Sequence, residues 1–165
     1  MTTAVNEWTD DWEDELDAKR RVVLRKVVAF ELEDELYGID IDKAAEIMRM
    51  VPIRAVPNVP DFVLGLINLR GSIVPVIDLR ILFKLQCRPW NSESRIVVIK
   101  HEEMLVGAAV DRLWDVLRLS PEAFQAPPPD MNQIDAEFFR EICPIEGRML
   151  ILLNTEKILN HTAGK

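Results

Sequence analysis

The chain is poor in the residues on which most enzyme chemistry draws. Among 165 residues there are two histidines, two cysteines, one tyrosine and six glycines. Nucleophilic catalysis usually sets a nucleophile beside a base. Here His101 falls in an expected hairpin turn and His161 in an expected C-terminal tail, so neither is placed to serve one. Cys87 and Cys143 lie far apart. Their spacing suits neither a zinc knuckle nor a redox pair, and they read as free thiols, one or both buried as small hydrophobes. The glycines are scattered singly, and the stretch from Gly65 to Gly71 lacks the lysine and the strand-to-helix setting of a phosphate loop. No cluster of His, Cys and carboxylates has transition-metal spacing. The inventory points away from catalysis, from a metal or other cofactor, and from a small-molecule substrate. Long apolar runs are also missing: none approaches the roughly 20 residues that span a bilayer. The first residues lack the basic-then-apolar pattern of a signal peptide. A cytoplasmic protein with no direct membrane insertion is expected.

Positive charge is in short supply. The net charge is −8, whereas a protein that binds a nucleic-acid backbone needs Lys and Arg to displace counterions. An RNA-binding small β-barrel would also show aromatics between basic residues, and aromatics are only 7% of this chain. No nucleic-acid partner is expected. The acids are unevenly placed, with Glu7, Asp10, Asp11, Glu13, Asp14, Glu15 and Asp17 crowding the first 17 residues. Residues 1–21 therefore read as an acidic extension. Trp8, Trp12 and Leu16 recur every four residues, which would align them on one helix face. A frayed acidic tail, a helix packed on its own domain and a partner-docking helix remain open for this segment.

What is present from Val22 onward is β-pattern. Val22 to Leu32 is rich in β-branched residues, turns at Glu33-Asp34-Glu35 and returns as Leu36 to Ile41, a hairpin. Asp42 is placed to cap a short helix over Lys43 to Met48. Pro60-Asp61 opens a second short helix, Phe62 to Ile67, followed by a turn at Asn68 to Ser72. The strand Ile73 to Leu79 contains Pro75, which cannot donate to a ladder and so requires an edge or a bulge. Further strands are expected over 95–100, 104–110 and 113–119, then a helical turn at Ser120-Pro121-Glu122. A hairpin follows, from Phe139–Ile145 to Met149–Leu153, and Asn154 caps a last helix over 155–159. Many short strands with few short helices argue for small antiparallel barrels or a sandwich. About ten strands are too many for one five-stranded barrel, and two barrels sharing strands would fit.

One stretch is more specific than the rest. Phe62-Val63-Leu64-Gly65-Leu66-Ile67-Asn68-Leu69-Arg70-Gly71-Ser72-Ile73-Val74-Pro75-Val76-Ile77-Asp78-Leu79-Arg80 resembles the signature of the CheW family. Tyr37-Gly38-Ile39-Asp40-Ile41 with Glu46-Ile47, the stretch Val110 to Leu117, and Gly147 to Leu152 resemble other parts of the family in the right order. The resemblance covers roughly Val28 to Asn160. It implies a mainly β fold of two interleaved SH3-like five-stranded β-barrels, with short helices and a short C-terminal helix. The expected division is a single domain over 22–161, with one barrel from about 36–92 and the other from about 28–35 plus 94–160. It further implies a non-catalytic adaptor that couples chemoreceptors to a CheA-type histidine kinase and is recruited to membrane-bound receptor arrays. An adaptor of a non-flagellar chemosensory pathway, serving pili or development, is the alternative within the same class.

The implied partners are the kinase and the cytoplasmic hairpin tip of a chemoreceptor. The implied receptor-binding residues are Arg70, Glu46, Gly65 and Asn68, with Ala44 at the kinase interface. Arg70 stands on a turn before Gly71, from which a guanidinium can project to a partner carboxylate. It can equally tie down its own turn or pair internally with Glu46. Gly65 suits a close backbone approach, either internal or by the receptor. Ala44 departs from the larger aliphatic residue often found there in the family.

Overall fold

The computed structural model describes residues 23–128 and 136–163. The acidic extension, with Trp8, Trp12 and Leu16, lies outside the described residues. Among the described residues, ten strands form two five-stranded sheets. The first takes β1 (Arg25–Leu32), β2 (Glu35–Asp40), β8 (Arg112–Leu119), β9 (Phe139–Ile145) and β10 (Arg148–Leu153), in the order β8-β1-β2-β10-β9. The second takes β3 (Ala44–Arg49), β4 (Val63–Leu69), β5 (Ser72–Asp78), β6 (Arg95–His101) and β7 (Met104–Val110), in the order β3-β6-β7-β5-β4. Two short helices follow β5 and β10: α1 (Leu79–Leu82) and α2 (Thr155–Thr162).

The mainly β expectation holds, and the strand orders show how the halves of the chain are exchanged. Each sheet joins a hairpin to a three-strand unit by one parallel pairing, β2 with β10 in the first sheet and β7 with β5 in the second. The hairpin β1-β2 is completed by strands from the far end of the chain, and β6-β7 by strands that precede it. The expected residue division therefore needs correction. β2 stays with β1, because Glu33 and Asp34 both take positive φ (51° and 66°), the backbone of a two-residue hairpin turn. The 95–110 hairpin belongs with β3, β4 and β5.

Each sheet is also closed on itself by one isolated bridge. Beyond β8, Gln125 exchanges two 2.8 Å backbone hydrogen bonds with Ile142 of β9. Beyond β3, the Arg54 N–H donates to the Leu66 carbonyl of β4 at 2.9 Å, and the Leu66 N–H donates back at 2.8 Å. Closure satisfies edge groups that would otherwise offer a template for pairing.

Two closed sheets packed together leave strands buried on both faces. Along β1, Val27 and Ala29 point into the first sheet's own core with Leu36, Cys143 and Leu150. Val28, Phe30 and Leu32 point into a larger shared core that also takes residues from both sheets and both helices. Along β6, Ile96 and Val98 fill the second sheet's core, while Val97 and Ile99 reach the shared one. This explains why these segments read as continuous apolar runs instead of clean alternation. Fully burying one such side chain contributes roughly 1.5–3 kcal/mol.

Two expected helices are strands. Residues 43–48 lie in a 3₁₀ turn (Ile41–Lys43) and β3, where Ile47 opposes Val97 and Met48 opposes Ile96. Ala44 and Ile47 pack on the shared core while Met48 packs on the second sheet's core, a two-sided burial that an isolated helical turn would not supply. Residues 62–67 lie largely in β4, where Gly65 opposes Val76 and Ile67 opposes Val74. Tertiary pairing here overrides local propensity. Pro75 behaves as expected: the pairing of β5 with β7 begins one residue later, at Val76. Asn154 caps α2 by accepting a 3.2 Å bond from the Lys157 N–H, but the helix runs on to Thr162. His161 is therefore not in a loose tail. Its ring lies 5.2 Å from that of Phe62 and 5.3 Å from that of Phe138.

Candidate binding surface

The turn between β4 and β5 consists of Arg70 and Gly71, with φ of 53° and 88°. Two consecutive positive values make a tight turn that matches strand twist, and glycine meets the second without strain. Just before it, the Asn68 side-chain oxygen accepts a 3.0 Å bond from the Gly71 N–H, which fixes the turn from within. Arg70 donates through Nη2 to Glu46 Oε2 at 3.2 Å. The Arg70 side chain is nonetheless 79% exposed, against 26% for Glu46. One donor holds the guanidinium over β3 while its remaining N–H groups face outward. A pair this exposed contributes about 1 kcal/mol at most, so it orients the arginine more than it stabilises the fold.

The structure thus brings Arg70, Glu46 and Asn68 together and sets Gly65 and Ala44 apart from them in role. Gly65 is buried with φ of 149°, and a Cβ there would lie 2.1 Å from the Arg54 carbonyl oxygen. The close approach is internal, made by the segment that closes the second sheet. Ala44 is half-buried at the start of β3, packed on the shared core. On β5, opposite Asn68, Ile73 leaves 63% of its surface in solvent.

The most elaborate polar arrangement was not visible in the sequence. Arg80, on α1, is 2% exposed. Its Nε and Nη2 donate to the two oxygens of Asp78, each at 3.0 Å. Its Nη1 donates to Asp111 Oδ1 at 2.8 Å and to the Arg88 carbonyl at 2.7 Å. The guanidinium carbon sits 3.7 Å from the centre of the Trp90 ring. Burial works against its charge, but hydrogen bonding and charge from Asp78, with the charge of Asp111, outweigh it and raise the Arg80 pKa. Asp111 also accepts from the Glu33 N–H at 2.8 Å. The network therefore ties the end of β5 and the end of β7 to the β1–β2 turn of the other sheet. It has no outward-facing donor for a ligand and works as a clamp between the sheets. Among the described residues, no group of three or more His, Cys, Asp or Glu could hold a metal ion, and no helix is long and apolar enough to cross a membrane.

Comparison with known proteins agrees with this architecture. A family model described as a CheW-like domain matches residues 26–163. The chain is similar to the chemotaxis protein CheW of Klebsiella aerogenes, 36% identical over 136 residues that cover 82% of each chain. It is 32% identical over 143 residues to the probable chemotaxis protein CheW of Rhizobium etli, covering 86% of this chain and 91% of that one. Among solved structures, the scaffolding protein TtCheW from Thermoanaerobacter tengcongensis aligns with a TM-score of 0.76 at 35% identity, over 80% of this chain and 90% of that one.

Proposed function

The chain belongs to the CheW-like family and is a chemotaxis scaffold of that kind, and on that premise we propose that it is a non-catalytic adaptor coupling chemoreceptors to a CheA-type histidine kinase. Receptor contact runs through the β4–β5 turn: Arg70 meets a carboxylate of the receptor's cytoplasmic hairpin tip, Glu46 and Asn68 hold the turn, and Gly65 shapes the strand behind it. The kinase docks on a separate surface that includes the neighbourhood of Ala44. Recruitment to receptor arrays follows from those two contacts.

The observation that supports this reading is the posture of Arg70. It is pinned at one nitrogen by Glu46 yet 79% exposed. An arginine needed only for its own turn would gain little from such exposure, whereas bidentate pairing with a partner carboxylate requires free, pre-aligned donors. The test is binding of a receptor signalling fragment by Arg70→Glu and by the swap Arg70→Glu/Glu46→Arg. Both variants are expected to lose receptor binding while keeping the kinase. Rescue by the swap would mean that only the internal pair matters, and the assignment of Arg70 as the contacting group would fall.

A further inference from the structure

A charged groove opens where β1 begins. Its cationic side chains are Arg25, Lys26, Lys43 and Arg140, against Asp40 and Asp42. The volume is about 520 Å³. Asp40 is already met by Arg25 at 3.2 Å and Arg140 at 3.4 Å, and Arg25 also meets Glu141 at 2.9 Å. Among the described residues, Lys26 and Lys43 have no carboxylate within ion-pair distance. The groove therefore has cationic character in a chain whose net charge is −8. Its rim carries apolar surface as well: Leu24 and Ile41 are each 39% exposed.

The seven acids of residues 7–17 lie a short stretch of chain before Arg25. Seven to seventeen residues intervene, and at up to about 3.5 Å each even the shortest stretch can reach about 25 Å. Without those seven negative charges the remaining chain would carry a net charge of only −1. Trp8, Trp12 and Leu16 add apolar side chains to the same segment. Complementary charge, apolar surface on both sides and a covalent tether that keeps the local concentration high all favour one occupant.

We infer that the acidic, tryptophan-bearing segment 7–17 of this same chain docks in the groove formed by Arg25, Lys26, Lys43 and Arg140. Docked there it lies beside Lys43, one residue from Ala44. It would then obstruct approach to that end of β3, a consequence that rests on the function proposed above; the docking itself does not.

The experiment is paramagnetic relaxation enhancement on the full chain, with a nitroxide on Thr9→Cys in a Cys87→Ser background. Amides of 41–43 and 140 are the reporters, because 24–26 are broadened by the tether alone. Broadening of the reporters is expected at low ionic strength. It should be lost at 1 M salt, where the screening length falls to about 3 Å. It should also be lost in Lys26→Glu/Lys43→Glu, and in Asp10→Asn/Asp11→Asn/Asp14→Asn, whose substitutions fall in the extension. Broadening that ignores salt and both variants would overturn the inference. So would broadening at other sites, or broadening in a mixture of labelled chain with a separate isotope-labelled copy, which would place the segment on a second molecule. No partner protein is needed, so failure here leaves the adaptor reading intact.

Discussion

Replacing Arg80 with methionine tests whether the buried clamp holds the two sheets together. Methionine keeps most of the side-chain volume but removes four hydrogen bonds, two to Asp78 and one each to Asp111 and the Arg88 carbonyl. Asp78, whose side chain is 3% exposed, would keep its carboxylate with only the backbone N–H of residue 80 as a partner. Removing one member of a buried pair typically costs about 3–5 kcal/mol, because the other charge is left uncompensated. Loss of the cation over Trp90 adds to this. With an m-value of about 2 kcal/mol/M in urea, a loss of about 4 kcal/mol lowers the unfolding midpoint by about 2 M. Urea titration followed by tryptophan fluorescence and by circular dichroism measures it. The double variant Arg80→Met/Asp78→Leu should recover part of the loss, since it removes the orphaned charge. A loss below about 1 kcal/mol in the single variant, or no recovery in the double, would refute the idea that this network is a clamp.

Glycine positions provide a matched pair. Gly65→Ala forces a Cβ to within 2.1 Å of the Arg54 carbonyl oxygen and should cost more than about 3 kcal/mol, with faster hydrogen exchange at the Arg54 and Leu66 amides. Gly71→Ala meets no atom within 4 Å and pays only for its φ of 88°, about 1 kcal/mol by thermal or urea unfolding. Tyr37, the sole tyrosine, has its pKa pushed well above the ordinary 10.0, first by burial and then by Glu35 and Glu33. A raised phenol pKa means the unfolded state releases its proton first, so the stability this group confers is present below about pH 10 and is lost as pH rises above it. Phenolate absorbance should therefore appear together with loss of β-sheet circular dichroism, not as a separate titration near pH 10. Of the two thiols, exposed Cys87 should react with a thiol reagent in the native chain and buried Cys143 only after denaturation.

Much of the fold was legible because local chemistry dictated it. The β4–β5 and β9–β10 turns each end in a glycine with positive φ, Gly71 and Gly147, and both were recognisable as turns, although the first was expected to follow a helix. The Asn154 cap and the restriction imposed by Pro75 were equally local. Strands β3 and β4 were not legible: Ala44 to Arg49 carries good helix formers, and its strand character comes from pairing with β6, about fifty residues later. The same limit hid Arg80. A charged residue after a strand reads as surface, and its second carboxylate, Asp111, is 31 positions away. For the site, the sequence offered Arg70 both an internal and an external partner. The internal one, Glu46, is present in the structure. Gly65 was open to two explanations, and the neighbour that demands it is Arg54.

The most direct test of the central claim is a three-way binding measurement with the full chain, a CheA-type kinase and a receptor signalling fragment. The wild-type chain is predicted to bind both and to bring them into one complex. Folded Arg70→Glu is predicted to keep the kinase and lose the receptor. A wild-type chain that binds neither would contradict the adaptor function, and an Arg70→Glu variant with undiminished receptor affinity would contradict the placement of the receptor contact at the β4–β5 turn.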